Sequence, residues 1–377
     1  MNKKIQLLLL TGSSLAFQTH AGDINFSGFA TIAGGVTMGS DENYGGYDDK
    51  ISFATNSLVG LQASSDLGEG WGVTTQLLAK GEEDWDLSAK WAFISYDTSN
   101  DWRILFGRQR APFYIYSDYL DVSYAYHWIT PPEGVYSLPF DVIDGIGAIK
   151  NLTLGSFDST FHVTMGGNKS EISGFDAEFK DVISIAWSLN KDWFTARLSY
   201  AVADFSLDSP DITTLADGWR AAMFPEIATG VEIVEDKGKF AGVGFTFDFE
   251  NWLIVTEVTK VETGENFYPT SDSYYMSIGY RLGNGLLHLT AGADEADPDI
   301  SLLDDVPVGV VPELDFLYAS TVGIFNNGAE DSSFVTLGYK WDMDATVSMK
   351  VEYTNFDNKL MGANDASLLQ FAITTVF

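Results

Sequence analysis

The sequence predicts an all-β fold, a transmembrane antiparallel β-barrel of about 16 strands. Three observations carry this. Apolar and polar residues alternate with period two through most of the chain. Charges inside the predicted strands fall on the face opposite the apolar one, and very short polar turns alternate with long connections. Composition agrees: 377 residues, 45% hydrophobic and 14% aromatic, with 36 Gly, 10 Pro and no Cys. That apolar content excludes disorder. The lack of Cys excludes disulfides, thiol catalysis and cysteine-based metal sites. With 21 Lys+Arg against 53 Asp+Glu and a net charge of −32, no nucleic acid is expected as a partner, because phosphate contacts need clustered cations.

Residues 1–21 read as a secretory signal peptide, which leaves 22–377 as a single barrel domain. Lys3 and Lys4 form a positive start, Ile5 to Leu10 begin a short apolar run, and Thr19-His20-Ala21 offers a small-residue cleavage site. Its removal leaves 19 cationic against 53 acidic residues, a net −34. No later stretch approaches the roughly 18 consecutive apolar residues of a membrane helix, and no Cys stands at the cleavage site to carry a lipid anchor. The expected product is an exported bacterial chain.

Barrel strands are about ten residues of apolar-out, polar-in alternation. The first expected strand, 23–38, places Ile24, Phe26, Ala30, Ile32 and Val36 against Asn25, Ser27, Thr31 and Thr37. Val59, Leu61 and Ala63 in 51–64 pass through a turn at 65–70 into Trp71, Val73, Leu77 and Ala79 of 71–80. Strands follow at 87–97, 102–110, 144–154, 157–166, 181–190, 193–203, 238–250 and 252–261, then at 272–282, 286–293, 333–341, 345–353 and 366–377. The apolar segment 314–326 suits a strand or a folded-in loop. An even strand number assigns it to a loop.

With the lipid face set by apolar count alone, Lys80, His162, Arg197, Glu257, Arg281, His288, Lys340, Lys350 and Glu352 all fall on the other face. A charge on the lipid face near the midplane costs roughly 2–4 kcal/mol. Lys90 and Lys150 fit neither face clearly, and Lys260 takes the apolar parity near a strand end, where it can snorkel. The long connections cover about 39–50, 111–143, 167–180, 204–237, 262–271, 294–332 and 354–365. Trp71, Trp91, Trp102, Trp193, Trp252 and Trp341 stand at strand ends, where interfacial girdles form.

The last strand alternates Leu369, Phe371, Ile373 and Thr375 and ends on Phe377. It resembles the final strand of Gram-negative outer-membrane proteins. Leu58 to Gly70 (LVGLQASSDLGEG) resembles the second hairpin of general porins, as do Trp91-Ala92-Phe93-Ile94-Ser95 and Ile104 to Gln109 (ILFGRQ). The chain therefore resembles the trimeric, 16-stranded general porins of Gram-negative bacteria. The resemblance implies a homotrimer in the outer membrane, in contact with lipid and lipopolysaccharide and inserted by the barrel-assembly machinery through the Phe377 strand. It also implies a water-filled pore for small hydrophilic solutes and ions, narrowed by a long third loop folded into the lumen.

By that resemblance Arg108 closes the fifth strand and lines the constriction. Its parity is shared with Ile104 and Phe106, so a bulge at Gly107 is needed to turn it inward. The expected constriction sets Arg103, Arg108, Arg110, Arg197 and Arg281 on the wall against Asp118, Asp121 and Glu133 on the loop. Such opposed charges make a transverse field that orders polar solutes. Loop 111–143 also carries Asp141 and an unusual set of rings, among them Phe113, Tyr114, Tyr116, Tyr126, His127, Trp128 and Tyr136. These serve either as a stacking path for sugar or aromatic solutes or as packing against the wall.

The acidic outer segment 294–315 raises the cation concentration at the mouth, so a cation preference is expected. No resident cofactor is expected, only loosely held divalent cations there. No Gly-x-Ser-x-Gly, His-Glu-x-x-His or phosphate loop is present, and no enzyme is expected. The competing readings are a substrate-preferring porin and a non-conducting surface β-protein or adhesin.

Overall fold

The computed structural model describes residues 22–172, 174–264, 269–360 and 364–377. The expected signal peptide and parts of the connections at 262–271 and 354–365 lie outside them. The described residues form sixteen strands. The first half contains β1 (Ile24–Thr37), β2 (Leu58–Gly68), β3 (Trp71–Lys80), β4 (Leu87–Asp97), β5 (Trp102–Arg110), β6 (Val142–Leu154), β7 (Phe157–Ile172) and β8 (Phe175–Lys191). The second half contains β9 (Phe194–Asp208), β10 (Asp236–Phe249), β11 (Trp252–Glu262), β12 (Thr270–Leu282), β13 (Gly285–Asp297), β14 (Glu330–Asp342), β15 (Val347–Asn358) and β16 (Ala366–Val376). Each strand pairs antiparallel with its sequence neighbours, and β1 pairs with β16 to close the barrel. Closure leaves no sheet edge unpaired. At the seam Gly28 and Phe377 exchange backbone hydrogen bonds of 2.7 and 2.9 Å. A Cβ on Gly28 would come within 2.4 Å of the Phe377 ring, so a larger residue there would have to displace that ring.

Period-two alternation becomes outside and inside. Met276, Leu289 and Val351 are exposed on the outer face, while Ser277, Thr290 and Lys350 are buried inside. The same parity puts Lys80, His162, Arg197, Glu257, Arg281, His288, Lys340 and Glu352 within the lumen. Lys90 and Lys150, without a clear parity, and Lys260, on the apolar parity, each find a partner. Lys90 is the extra residue of an irregularity between β3 and β4 and pairs with Asp141 at 3.3 Å. Lys150 runs across the Trp102 ring toward the turn at Asp101. Lys260 pairs with its cross-strand neighbour Asp272 at 3.2 Å. Trp71, Trp102, Trp193, Trp252 and Trp341 are exposed at the short-turn end. Trp91 does not join them: it pairs across from the buried, inward Gln76, and its indole nitrogen is buried.

Three expectations change. The second strand lies at Leu58–Gly68 rather than 51–64, because Ser57 and Tyr47 turn inward and anchor the preceding loop through Ala33 and Thr55. The connection expected at 167–180 is instead an extension of the β7–β8 hairpin, paired as far as Ile172 and Phe175. Segment 314–326 is no barrel strand and lies, as expected, in a connection, between β13 and β14, but it is folded there as a helix. The helices are α1 (Pro210–Ala221), α2 (Pro225–Val231) and α3 (Pro312–Asn327). In α3, Pro312 at the first helical position and Glu313 and Asp315 in the first turn favour a helical start. Leu317, Thr321 and Phe325 then recur every four residues on one side.

These helices form a roof at the long-loop end. Trp219 of α1 is fully buried and donates its indole N–H to Thr321 of α3 at 2.8 Å. Ile212, Leu215, Ile227, Val231, Leu303 and Phe325 share one hydrophobic core with the rings of the 111–141 connection. Deleting a buried Trp costs roughly 3–5 kcal/mol. Trp219→Ala is therefore expected to open α1 and α3 locally, seen as faster amide exchange and protease cleavage within 209–235, while the sixteen strands stay protected.

Candidate functional site

The lumen is organised by residues 111–141. Phe113, Tyr114, Tyr116, Tyr126 and Trp128 are buried against inward residues of the wall such as Phe240, Val255, Tyr275 and Phe334. A chain segment lying inside a barrel must find partners for its backbone groups, and here wall side chains supply them. The Glu257 carboxylate accepts from the Ile115 N–H at 2.8 Å, from Tyr136 at 2.7 Å and from Tyr275 at 3.0 Å. Glu352 accepts from the Ile129 N–H at 2.9 Å. Lys350, 1% exposed, donates to the Ser123 and Trp128 carbonyls and lies 4.9 Å from the Tyr126 ring centre. Ser277 meets the His127 ring at 2.8 Å, and Thr290 accepts from the Trp128 indole at 2.8 Å. Lys340 donates to the Tyr124 carbonyl at 3.0 Å. Burial, followed by the charges of His288, Lys350, Lys340 and Arg281, pushes His127 well below the ordinary histidine range, so the ring stays neutral.

One cation ties the interior of the segment to its close. Arg110, at the end of β5, bonds Asp121 within the segment and Asp141 at its close. Lys90 adds a second contact to Asp141. Burial alone would raise the Asp141 carboxyl, but Arg110, Lys90 and Lys80 together hold it below the usual carboxylate range.

Two chambers of opposite chemistry lie on the two sides. The lower one, toward the short turns, has a volume of about 470 Å³. Asp118, Asp248 and Asp342 face Arg197, Arg281 and Lys340 around it. Arg281 grips Asp248 with two bonds of 2.6 and 2.8 Å, and Lys340 meets Asp342 at 3.2 Å. Arg197 bonds Ser188 at 3.2 Å, while its Nε and Nη2 find no partner among the described residues. The upper chamber, under the roof, measures about 590 Å³ and is walled largely by phenylalanine and aliphatic side chains. The two share no lining residue.

The structure thus sorts the eight predicted site residues into five places. Asp118, Arg197 and Arg281 meet in the lower chamber. Arg110 and Asp121 form the buried tie described above and face each other. Glu133 lies apart on the upper chamber, where burial and the Glu82 and Asp294 carboxylates push it above the usual range. Arg103 pairs with Asp97 at 3.2 Å near the short turns. Arg108 is on the outer wall, bonded twice to Asp144 at 2.8 and 2.6 Å, on the same face as the exposed Phe106 and Ile146. Gly107 does take φ +126°, yet pairing runs unbroken through it to both β4 and β6. A bulge needs an extra residue, and none is inserted, so the parity of Arg108 stands. Glu257, Lys350 and Glu352 were legible as inward charges, but their partners on the third connection were not. Among the described residues no group of three or more His, Cys, Asp or Glu is placed to hold a metal ion.

The closed sixteen-strand barrel resembles solved outer-membrane barrels in fold. No protein-family model and no curated protein matches the sequence. Solved structures do match the fold. OmpF of Salmonella typhi, in complex with daunomycin, aligns with a TM-score of 0.59 at 13% identity, over 95% of this chain and 98% of that one. The outer-membrane channel DcaP of Acinetobacter baumannii aligns with a TM-score of 0.57 at 14% identity, over 95% and 98%. The trimer form of OmpT from Vibrio cholerae gives 0.53 at 12% identity, over 95% and 100%. At these identities the likeness is one of fold.

Removing one partner of a buried ion pair costs about 3–5 kcal/mol, because the other charge is left unpaired. Arg110→Ala is expected to release residues 111–141, measured as a lower urea midpoint and as protease cleavage inside that segment. Asp141, with its lowered pKa, contributes stability above the ordinary carboxylate range and loses it only as the pH falls through the lower folded value. The segment should therefore stay protected from exchange at pH 4 and loosen only in stronger acid. Loosening already between pH 6 and 5 would contradict this account of the tie.

Proposed function

We propose that the protein is an outer-membrane channel for passive passage of small solutes and ions. One observation carries this: a closed barrel encloses two solvent-sized chambers, separated by a single chain segment held on wall charges. The likeness to a channel of Acinetobacter baumannii supports it. The acidic surplus, with Glu133, Asp294, Glu295 and Glu330 against Lys239 in the upper chamber, supports a preference for cations. Phenyl rings around that chamber favour the substrate-preferring form of this reading over an open, unselective pore.

The proposal extends to export through residues 1–21, to assembly through the Phe377 strand and to contact with lipopolysaccharide and loosely held divalent cations at the acidic loops. A trimer is part of it. The fold occurs in a trimer form in Vibrio cholerae, and the Arg108–Asp144 pair on the outer wall is costly against lipid but not against a second barrel.

The test is conductance of the refolded protein in a planar bilayer under a KCl gradient. Stepwise conductance with a cation-side reversal potential is expected, with an Asp294→Asn, Glu330→Gln double variant shifting that potential toward zero. An anion-side potential would overturn the cation preference. No conductance from a heat-modifiable barrel would overturn the channel reading.

A further inference from the structure

The upper chamber combines features that the lower one lacks. Its volume of about 590 Å³ lies within the range of small-molecule sites. Phe140, Phe179 and Phe205 form a continuous ring surface: Phe179 stacks on Phe205 with centroids 4.9 Å apart and planes 10° apart, and Phe140 tilts against Phe179 at 4.5 Å. Facing these rings, β12, β13 and β14 bring Ser273, Asp294 and Ser332 into one cross-strand row on the chamber wall. Ser332 is 1% exposed, and its hydroxyl has no hydrogen-bond partner among the described residues. An unpaired buried hydroxyl calls for an explanation, and a ligand group supplies one. Glu133 and Glu330 line the same chamber, and with Asp294 they lie close enough to Tyr44 to act on it electrostatically. None of the three carboxylates forms an ion pair among the described residues; Lys239, the cation on this wall, turns to Glu262 at 3.6 Å.

We propose that the upper chamber is a binding site for an aromatic organic cation, a compound with one or two rings carrying a protonated amine. The ring portion lies against Phe140, Phe179 and Phe205, where it is removed from water. The ammonium group lies toward Asp294 and Glu133, which have negative charge to offer and no cation of their own, and an N–H or hydroxyl of the ligand pairs with Ser332. A neutral sugar would leave the phenyl walls unmatched, and an aromatic acid would set its carboxylate against three others. A bare inorganic cation would be satisfied by the acids but not by the rings. This site deepens the substrate-preferring channel reading and rests on it only for its role in transport, since occupancy is measurable without conductance.

The test is isothermal titration of the full, detergent-refolded barrel with four probes: phenethylamine, 2-phenylethanol, 3-phenylpropionate and tetramethylammonium. Phenethylamine is expected to bind saturably and at least tenfold more tightly than the other three. The near-isosteric Glu133→Gln, Asp294→Asn double variant should lose that tenfold advantage, and Ser332→Ala a few-fold of the affinity. Heat-modifiable migration on gels checks that both variants are folded. Equal binding of phenethylamine and 2-phenylethanol, or an advantage that survives in the folded double variant, would overturn the proposal. Conductance without phenethylamine binding would sink this site and leave the channel. Binding without conductance would sink the channel and leave the site.

Discussion

A closed barrel satisfies every backbone group within its wall but makes no provision for a chain segment placed inside it. The rest of this structure depends on how that demand is met. Residues 111–141 bring their own N–H and C=O groups into the lumen, and inward charges on the far wall receive them. Glu257 takes the Ile115 N–H, Glu352 takes the Ile129 N–H, and Lys350 takes the Ser123 and Trp128 carbonyls. Charges this deeply buried are costly unless they are paired and hydrogen-bonded. Each is kept by the segment it holds, and the segment is kept by them.

That mutual dependence divides the lumen. With Asp121 and Asp141 tied at Arg110, the segment sets Phe113 and Phe140 toward the upper chamber and Tyr116, Tyr126 and Asp118 toward the lower one. The helical roof then closes over phenyl and aliphatic side chains that would otherwise face water. Trp219 and Thr321 lock its two longer helices together. The lumen thus holds two environments, one largely apolar with acids that form no ion pair among the described residues and one lined by charges of both signs.

Neighbouring residues with one parity can still have different fates. Arg108 and Arg110 are two positions apart on β5, yet the first pairs with Asp144 on the outer wall and the second is buried inside. Alternation holds as long as the ladder continues on both sides. Arg110 is the last residue of its strand, where the chain turns inward and face is no longer set by pleat. Local pattern was also not decisive in α3: its sequence is apolar enough for a strand, but Pro312 and the acids after it favour a helical start.

The barrel itself was legible in the sequence. A strand has two faces and the membrane tolerates charge on only one, so strand positions, their even number and the inward set from Lys80 to Glu352 follow from local pattern and solvent cost. The candidate site was legible only in part. Asp118, Arg197 and Arg281 could be named as lumen charges, but neither their meeting in one chamber nor the removal of Arg103, Arg108 and Glu133 from it could be read. Those outcomes depend on contacts between residues more than a hundred positions apart, such as Ile115 with Glu257 and Trp219 with Thr321. Periodicity specifies which way a side chain points; which partner it meets is decided by where the barrel brings distant strands and loops together.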